Sequence, residues 1–141
     1  MTGYPHPVDQ GLQRLLALHP KLIDLSLDRI ERLLVKLDHP ERRLPPVIHA
    51  AGTNGKGSTL TFISALAAAH GLRAHLYTSP HLVRFNERIA LSSDPGVAPQ
   101  PIPDQQLLPL LDRVEAANDG EPITFFEITT ALALLALPRR P

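Results

Sequence analysis

Between Ala50 and Thr59 the chain reads AAGTNGKGST, with three glycines, one lysine and three hydroxyl side chains packed behind a short apolar run. Residues of these types at this spacing suit one kind of chemistry. Glycine accepts the positive φ angles and the close approach that let successive backbone N–H groups face one anion. A helix that starts just after the loop adds the positive end of its dipole, and a lysine adds a full charge that can reach terminal phosphates. The segment therefore reads as a cradle for nucleotide phosphates, built from Gly52, Thr53, Asn54, Gly55, Lys56, Gly57 and Ser58. It departs from the common pattern G-x-x-x-x-G-K-[ST], because Gly57 separates Lys56 from Ser58. Either Ser58 or Thr59 can then offer a hydroxyl to phosphate or Mg²⁺. The plainer reading of the same letters is a glycine turn that only links a strand to a helix, with Lys56 in water.

The elements that must position this loop are visible around it. Pro45 and Pro46 release the chain into VIHAA, Val47 to Ala51, which reads as a strand ending at the loop. After the loop, Leu60, Ile63, Leu66 and Ala67 recur with helical spacing, and Gly71 stands where a helix stops. RAHLYTS, Arg73 to Ser79, alternates like a second strand, so strand, loop, helix and strand predict a right-handed βαβ unit with a parallel pair. Upstream, Leu27, Ile30, Leu33, Leu34 and Leu37 mark an amphipathic helix closed by Pro40, and a shorter one covers Leu12 to Leu18. Downstream, RIALS near Ile89 suggests a short strand, and Leu107, Leu111 and Val114 a helix that Asn118 and Gly120 end. The stretch from Asp94 to Pro103, DPGVAPQPIP, can be neither helix nor central strand. Phe125 to Leu137 is apolar on nearly every side, as a helix buried in a larger body would be.

Composition narrows the function classes. The 141 residues carry 14 basic and 14 acidic side chains, 4% aromatics and no cysteine. That balance lacks the basic footprint of a nucleic-acid binder, and a disulfide framework or thiolate zinc site is excluded. No segment reaches the roughly 20 apolar residues of a membrane-spanning helix, and the N-terminus has no signal-peptide layout. The expectation is a cytoplasmic protein with no nucleic-acid or membrane partner. The seven histidines show no H-x-x-x-H spacing, so no zinc site is expected. His81 reads as structural, while Arg84 and Arg88 either meet an anionic substrate, pair with Glu87 or face water.

At the glycine loop, and at YTSPHLVRFNERI from Tyr77 to Ile89, the sequence resembles the folylpolyglutamate synthase and dihydrofolate synthase family of the Mur ligase superfamily. HPKLIDLSLDRIERLL before the loop and ITFFEITTALAL near the end extend the resemblance from about residue 19 to residue 135. The order GTNGKGS, TSPHL, RFNERI is more specific than any one piece. The resemblance implies an α/β fold, a parallel sheet of the P-loop NTPase type flanked by helices. It implies an ATP-dependent amide ligase, in which ATP phosphorylates a substrate carboxylate and the amine of glutamate attacks the acyl phosphate. The substrates implied are L-glutamate and either dihydropteroate or a folate, with ATP and Mg²⁺, in an enzyme that is monomeric at full length. Residue by residue, Lys56 takes the catalytic charge on the phosphates and Ser79 becomes a hydroxyl that ligates Mg²⁺. Ser79 also falls at the carboxyl end of the strand predicted beside the loop strand, where ligands of open α/β sheets gather, although a serine before Pro80 is equally an ordinary turn residue.

The pterin or folate site implied by the resemblance comprises Leu22, Ile23 and Asp24 together with Thr124, Phe125, Phe126 and Glu127. Here the residues support a second reading, since Thr124 and Glu127 also spell a helix capping box. A planar pterin can lie against Phe125 or Phe126, the same rings can serve as core, and Asp24 can be a helix-entry carboxylate. What the resemblance leads one to seek and not find is a carboxylate at the end of a Val/Ile-rich strand downstream of Lys56. None of the later acids, from Glu87 to Glu127, follows such a run. The chain turns into ALPRRP before the family's metal-binding glutamate, histidine, modified lysine and second domain. Residues 1–141 are thus expected to be the N-terminal part of an ATP-binding domain, without the C-terminal glutamate ligase domain and with little for the last helix to pack on. A non-catalytic nucleotide-binding fragment and an unrelated P-loop kinase or hydrolase are the alternatives.

Overall fold

The computed structural model describes residues 6–20 and 25–137, so the expected substrate residues Leu22, Ile23 and Asp24 lie outside the described part. The chain forms two compact units, one from residues 1–45 with 104–141 and one from residues 46–103.

The first unit is helical. Helix α1, Pro7–Leu16, opens on a proline whose missing N–H costs nothing at that position, and the His6 ring accepts from the Val8 N–H at 3.4 Å. The other His6 nitrogen meets Asp104 at 2.9 Å, at the first turn of helix α4, Asp104–Asn118. Helix α2, Asp28–Lys36, ends as expected before Pro40, with Asp38 and His39 both at positive φ. There the N–H groups of Asp38 and His39 bond back to Val35 and Leu34, which satisfies the last carbonyls of the helix. A single 3₁₀ turn, Pro40–Arg43, follows.

Helix α5, Phe125–Ala136, sits within this unit, packed on α4, α2, the 3₁₀ turn and α1. Its Ile128, Ala131, Leu132 and Ala133 are fully buried, together with Leu33, Leu107, Val114 and Ile123. The expectation that the last helix has little to pack on is overturned. Helices from both ends of the chain supply the apolar cover that a sheet was expected to give. Two ion pairs tie the helices further: Arg14 grips Glu115 through Nε at 2.7 Å and Nη2 at 2.9 Å, and Arg29 reaches Glu127.

The second unit carries the glycine loop, helix α3 at Lys56–Ala69 and three short strands: β1 Leu76–Tyr77, β2 Ile89–Leu91 and β3 Gln100–Pro101. The strands form an antiparallel sheet in the order β1-β2-β3, with Leu76 opposite Ala90 and Leu91 opposite Gln100. Residues 47–51 are not a strand, so the parallel pair expected between VIHAA and RAHLYTS is not formed. The reason is partnership. Val47 and Ile48 stand 69% and 66% exposed, and two parallel strands alone have neither the covered faces nor the neighbours that stabilise parallel pairing. β1 pairs with β2 instead, because a short connection without a crossover helix can only bring the chain back antiparallel. The proline-rich segment contributes β3, an edge strand, where a missing N–H is tolerated. Helix α3 stops as the sequence indicates: Gly71 has φ 72°, and the N–H groups of Gly71 and Leu72 bond to Ala68 and Ala67.

Candidate functional site

The glycine loop has the backbone that an anion cradle needs. Gly52 at φ 144° and Gly55 at φ 76° occupy regions that strain any other residue, and no neighbouring atom crowds either position. Helix α3 begins at Lys56, two residues earlier than the expected start near Ser58, with Gly55 as its N-cap. The first backbone bond of the helix runs from the Thr59 N–H to the Gly55 carbonyl at 2.9 Å. The N–H groups of Lys56, Gly57 and Ser58 therefore have no acceptor among the described residues. No side chain caps this end and no acidic residue lies in its first turn, so the positive end of the helix dipole is uncompensated.

The side chains around the loop divide into engaged and available groups. The Lys56 ammonium donates to the Gly52 carbonyl and lies 3.4 Å from that of Thr53, closing the loop on itself. The Thr59 hydroxyl donates to Gly55 at 2.8 Å and that of Thr61 to Gly57 at 2.9 Å. Of the two hydroxyls left open by the sequence, Thr59 is thus spent on the helix, and Ser58 is the one without a partner among the described residues. Thr53, Asn54 and Gly57 are solvent-exposed. Gly57 is neither at positive φ nor crowded by a neighbour.

Ser79 lies in the same unit, two residues beyond β1, exposed and joined to Pro80 by a cis peptide bond. It makes no hydrogen bond among the described residues, and none links it to the glycine loop. Helix α3 packs on β1, so the loop and Ser79 lie on neighbouring elements. Among the described residues no group of three or more His, Asp or Glu side chains is gathered as a metal site. Beside the carboxylates of Glu87 and Asp94, this unit offers a divalent cation the hydroxyl oxygens of Ser58 and Ser79, which suit a magnesium held chiefly by phosphate oxygens and water.

The other expected site residues belong to the helical unit. Thr124 and Glu127 form the capping box: the Thr124 hydroxyl accepts from the Glu127 N–H at 3.1 Å, and Glu127 accepts from the Thr124 N–H at 2.9 Å. Glu127 is also clasped by Arg29, Nε to Oε2 at 3.0 Å and Nη2 to Oε1 at 3.2 Å, a pair the sequence reading missed. Burial pushes its carboxyl up, yet the bonds from Arg29 and Thr124 outweigh that and hold it below the ordinary glutamate range. Phe126 is 61% exposed and Phe125 is partly buried, so of the two rings Phe126 is the one open to a ligand.

A second missed feature is Glu87. The sequence allowed it as a partner for Arg84 or Arg88, but its carboxylate instead accepts the backbone N–H groups of Leu82, Val83 and Arg84 at 2.9, 3.0 and 2.8 Å. Arg88 turns to His81, Nε to Nδ1 at 2.9 Å. The signal that finds this arrangement is spacing, since an acid three residues after Arg84 can reach back to that residue's N–H.

No protein-family model matches the chain. It is 39% identical over 130 residues to the dihydrofolate synthase/folylpolyglutamate synthase of Haemophilus influenzae, covering 91% of this chain and 28% of that protein. Among solved structures, E. coli FolC in complex with DHPP and ADP superposes with a TM-score of 0.76 at 35% identity, covering 94% of this chain and 30% of that one. The bifunctional enzyme of Yersinia pestis complexed with AMPPNP and Mn ion gives a TM-score of 0.77 at 32% identity, covering 97% and 32%. The chain spans under a third of the length of these relatives.

Proposed function

We infer that this chain, which resembles the folylpolyglutamate synthase/dihydrofolate synthase family over nine-tenths of its length, is the N-terminal part of that family's ATP-binding domain and holds the phosphates of ATP on residues 52–58. The observation that carries the inference is the start of helix α3, where three consecutive N–H groups have no acceptor among the described residues, in a glycine loop that has a lysine and no acid. Gly57 agrees with it. Neither backbone conformation nor protein crowding requires a glycine there, which leaves the close approach of a ligand as its reason.

In the reaction this site serves, an oxygen of a folate or dihydropteroate carboxylate attacks the terminal phosphorus of ATP and ADP leaves. The amine of L-glutamate then adds to the acyl phosphate, phosphate departs, and an amide remains. Lys56 moves from the loop carbonyls to the phosphates, where its charge offsets the charge of the transferring group. The helix amides hold the phosphates in line, with Ser58 and Ser79 offering hydroxyls on the metal side. Magnesium, when bound, neutralises phosphate charge. Phe126 is the surface against which a planar pterin stacks, and Thr124 with Glu127 fixes the helix start that presents it. We further propose a cytoplasmic protein that is a monomer in its full-length form; among the described residues no helix is long and apolar enough to cross a membrane.

A second reading has its own observation in favour. No carboxylate cluster for a metal is present among the described residues, so the chain alone binds ATP without completing catalysis. Incubating it with ATP, Mg²⁺, glutamate and dihydropteroate or tetrahydrofolate, and following ADP and product, separates the readings. Amide product that Lys56→Ala abolishes supports the ligase. ATP binding lost in Lys56→Ala without product identifies the non-catalytic fragment. ADP formation indifferent to glutamate and folate points to an unrelated kinase or hydrolase.

A further inference from the structure

The connection from β1 to β2 contains Ser79, and almost nothing apolar holds its tip. Leu82 and Val83 are 93% and 83% exposed, so the hydrophobic effect cannot fix this loop. Polar contacts of the loop with its own base do so. The Thr78 N–H donates to the Arg88 carbonyl at 2.9 Å and closes the neck. Arg88 bonds His81 and lies 5.4 Å from the centre of the Phe85 ring, which is itself buried. Glu87 takes the N–H groups of three consecutive residues at the tip.

We propose that Glu87 is a positioning residue, whose carboxylate fixes the loop from Ser79 to Arg84 and so sets where the Ser79 hydroxyl stands relative to the metal side of the phosphate site. The proposal rests on the ATP-site reading above. Glu87 is the first acid after Lys56 in the sequence, which would make it the obvious metal carboxylate. The geometry assigns it otherwise, since both of its oxygens are turned onto backbone N–H groups. Bonds from Arg84 and Leu82 hold the carboxyl below the ordinary glutamate range, so the clamp stays charged at neutral pH.

The test uses the 141-residue chain with Glu87→Ala, Glu87→Gln, Ser79→Ala and the Glu87→Ala/Ser79→Ala double variant. Amide hydrogen exchange at residues 82–84 is read by NMR, and ATP affinity is measured in Mg²⁺ and in EDTA. In Glu87→Ala, exchange at the three amides rises about tenfold or more, because these bonds are the protection. The gain in ATP affinity that Mg²⁺ gives falls by most of its size, while affinity in EDTA stays within about twofold. Glu87→Gln, which keeps one carbonyl acceptor, lies between. Ser79→Ala reproduces the loss of the Mg²⁺ gain with the amides still protected, and the double variant loses no more than either single one. Unchanged exchange in Glu87→Ala, or equal loss of affinity with and without Mg²⁺, would overturn the role of Glu87 alone. ATP binding indifferent to Lys56→Ala would overturn the phosphate-site reading, and the role of Ser79 with it.

Discussion

Helices α3 and α5 are written in nearly the same alphabet, STLTFISALAAA against FFEITTALALLA, and meet opposite fates. α5 is fully buried at Ile128, Ala131, Leu132 and Ala133. In α3 only Ser64 is buried, while Phe62 and Leu66, one turn apart, stand 71% and 61% exposed. Both sequences favour a helix, so composition does not distinguish them. What distinguishes them is neighbours: α5 has four helical partners inside its own unit, whereas α3 shares its unit with three short strands. In the helical unit α5 is therefore held by packing, whereas the buried apolar side chains of the loop unit are Phe85, Ile89, Ala90 and Ile102, among the described residues, and α3 supplies none of them.

The sharpest way to break that contrast is a cavity in α5. Leu132→Ala should cost about 2–5 kcal/mol of stability, measured by urea unfolding, since a fully buried leucine loses its transfer energy and leaves a void. A cost under about 1 kcal/mol would mean that the helical unit is no better packed than the loop unit. Next comes Arg29→Ala, which strands the Glu127 carboxylate at a site where the two side chains are 15% and 13% exposed. About 2 kcal/mol is expected, below the usual loss for a fully buried pair because Thr124 still donates to Glu127. The pH dependence has a definite sign. The folded-state pKa of Glu127 is depressed, so its contribution is complete above the unfolded glutamate value near 4.5 and is lost as pH falls through the lower folded value. In Arg29→Ala, stability should fall less steeply between neutral pH and that acid range than in the parent.

How much of this was legible in the sequence follows the same division. Helical periodicity at Leu33 and Leu37, and at Leu107, Leu111 and Val114, identified residues that are buried. The stops at Gly71 and before Pro40, and the Thr124–Glu127 capping box, are local chemistry and could be read directly. The glycine loop was legible for the same reason, because positive φ at Gly52 and Gly55 is a property of the residue type. What was not legible is long-range. The strand expected at Val47 to Ala51 requires partners that no local pattern reports, and the Arg29–Glu127 pair joins residues far apart in sequence. Glu87 was misjudged because side-chain partners were considered for it and backbone donors were not.

At Lys56 binding and stability separate. Lys56→Ala should lower ATP affinity about tenfold, or roughly 1.4 kcal/mol, by removing a charge from the phosphates. Its stability should change by less than about 0.5 kcal/mol, since the side chain bonds only exposed loop carbonyls. Equilibrium dialysis with labelled ATP, beside thermal unfolding without nucleotide, measures the two quantities. A large loss of stability with unchanged affinity would make Lys56 a loop staple and not a phosphate ligand.

The smallest effect is the most direct check on the contrast between the helices. Phe62→Ser and Leu66→Ser replace large apolar side chains in the middle of a helix, and in α5 a change of that kind would be ruinous. In α3 the side chains are already mostly in water, so little transfer energy is lost and only a few tenths of a kcal/mol of helix propensity remain at stake. Each variant should stay within about 0.5 kcal/mol of the parent in urea unfolding, with ATP affinity unchanged because positions 62 and 66 lie beyond the first turn of α3, where the phosphate site is proposed. A loss above about 1.5 kcal/mol in either would show that this face of α3 is covered in solution, and the two helices would then differ in their partners and not in whether they have any.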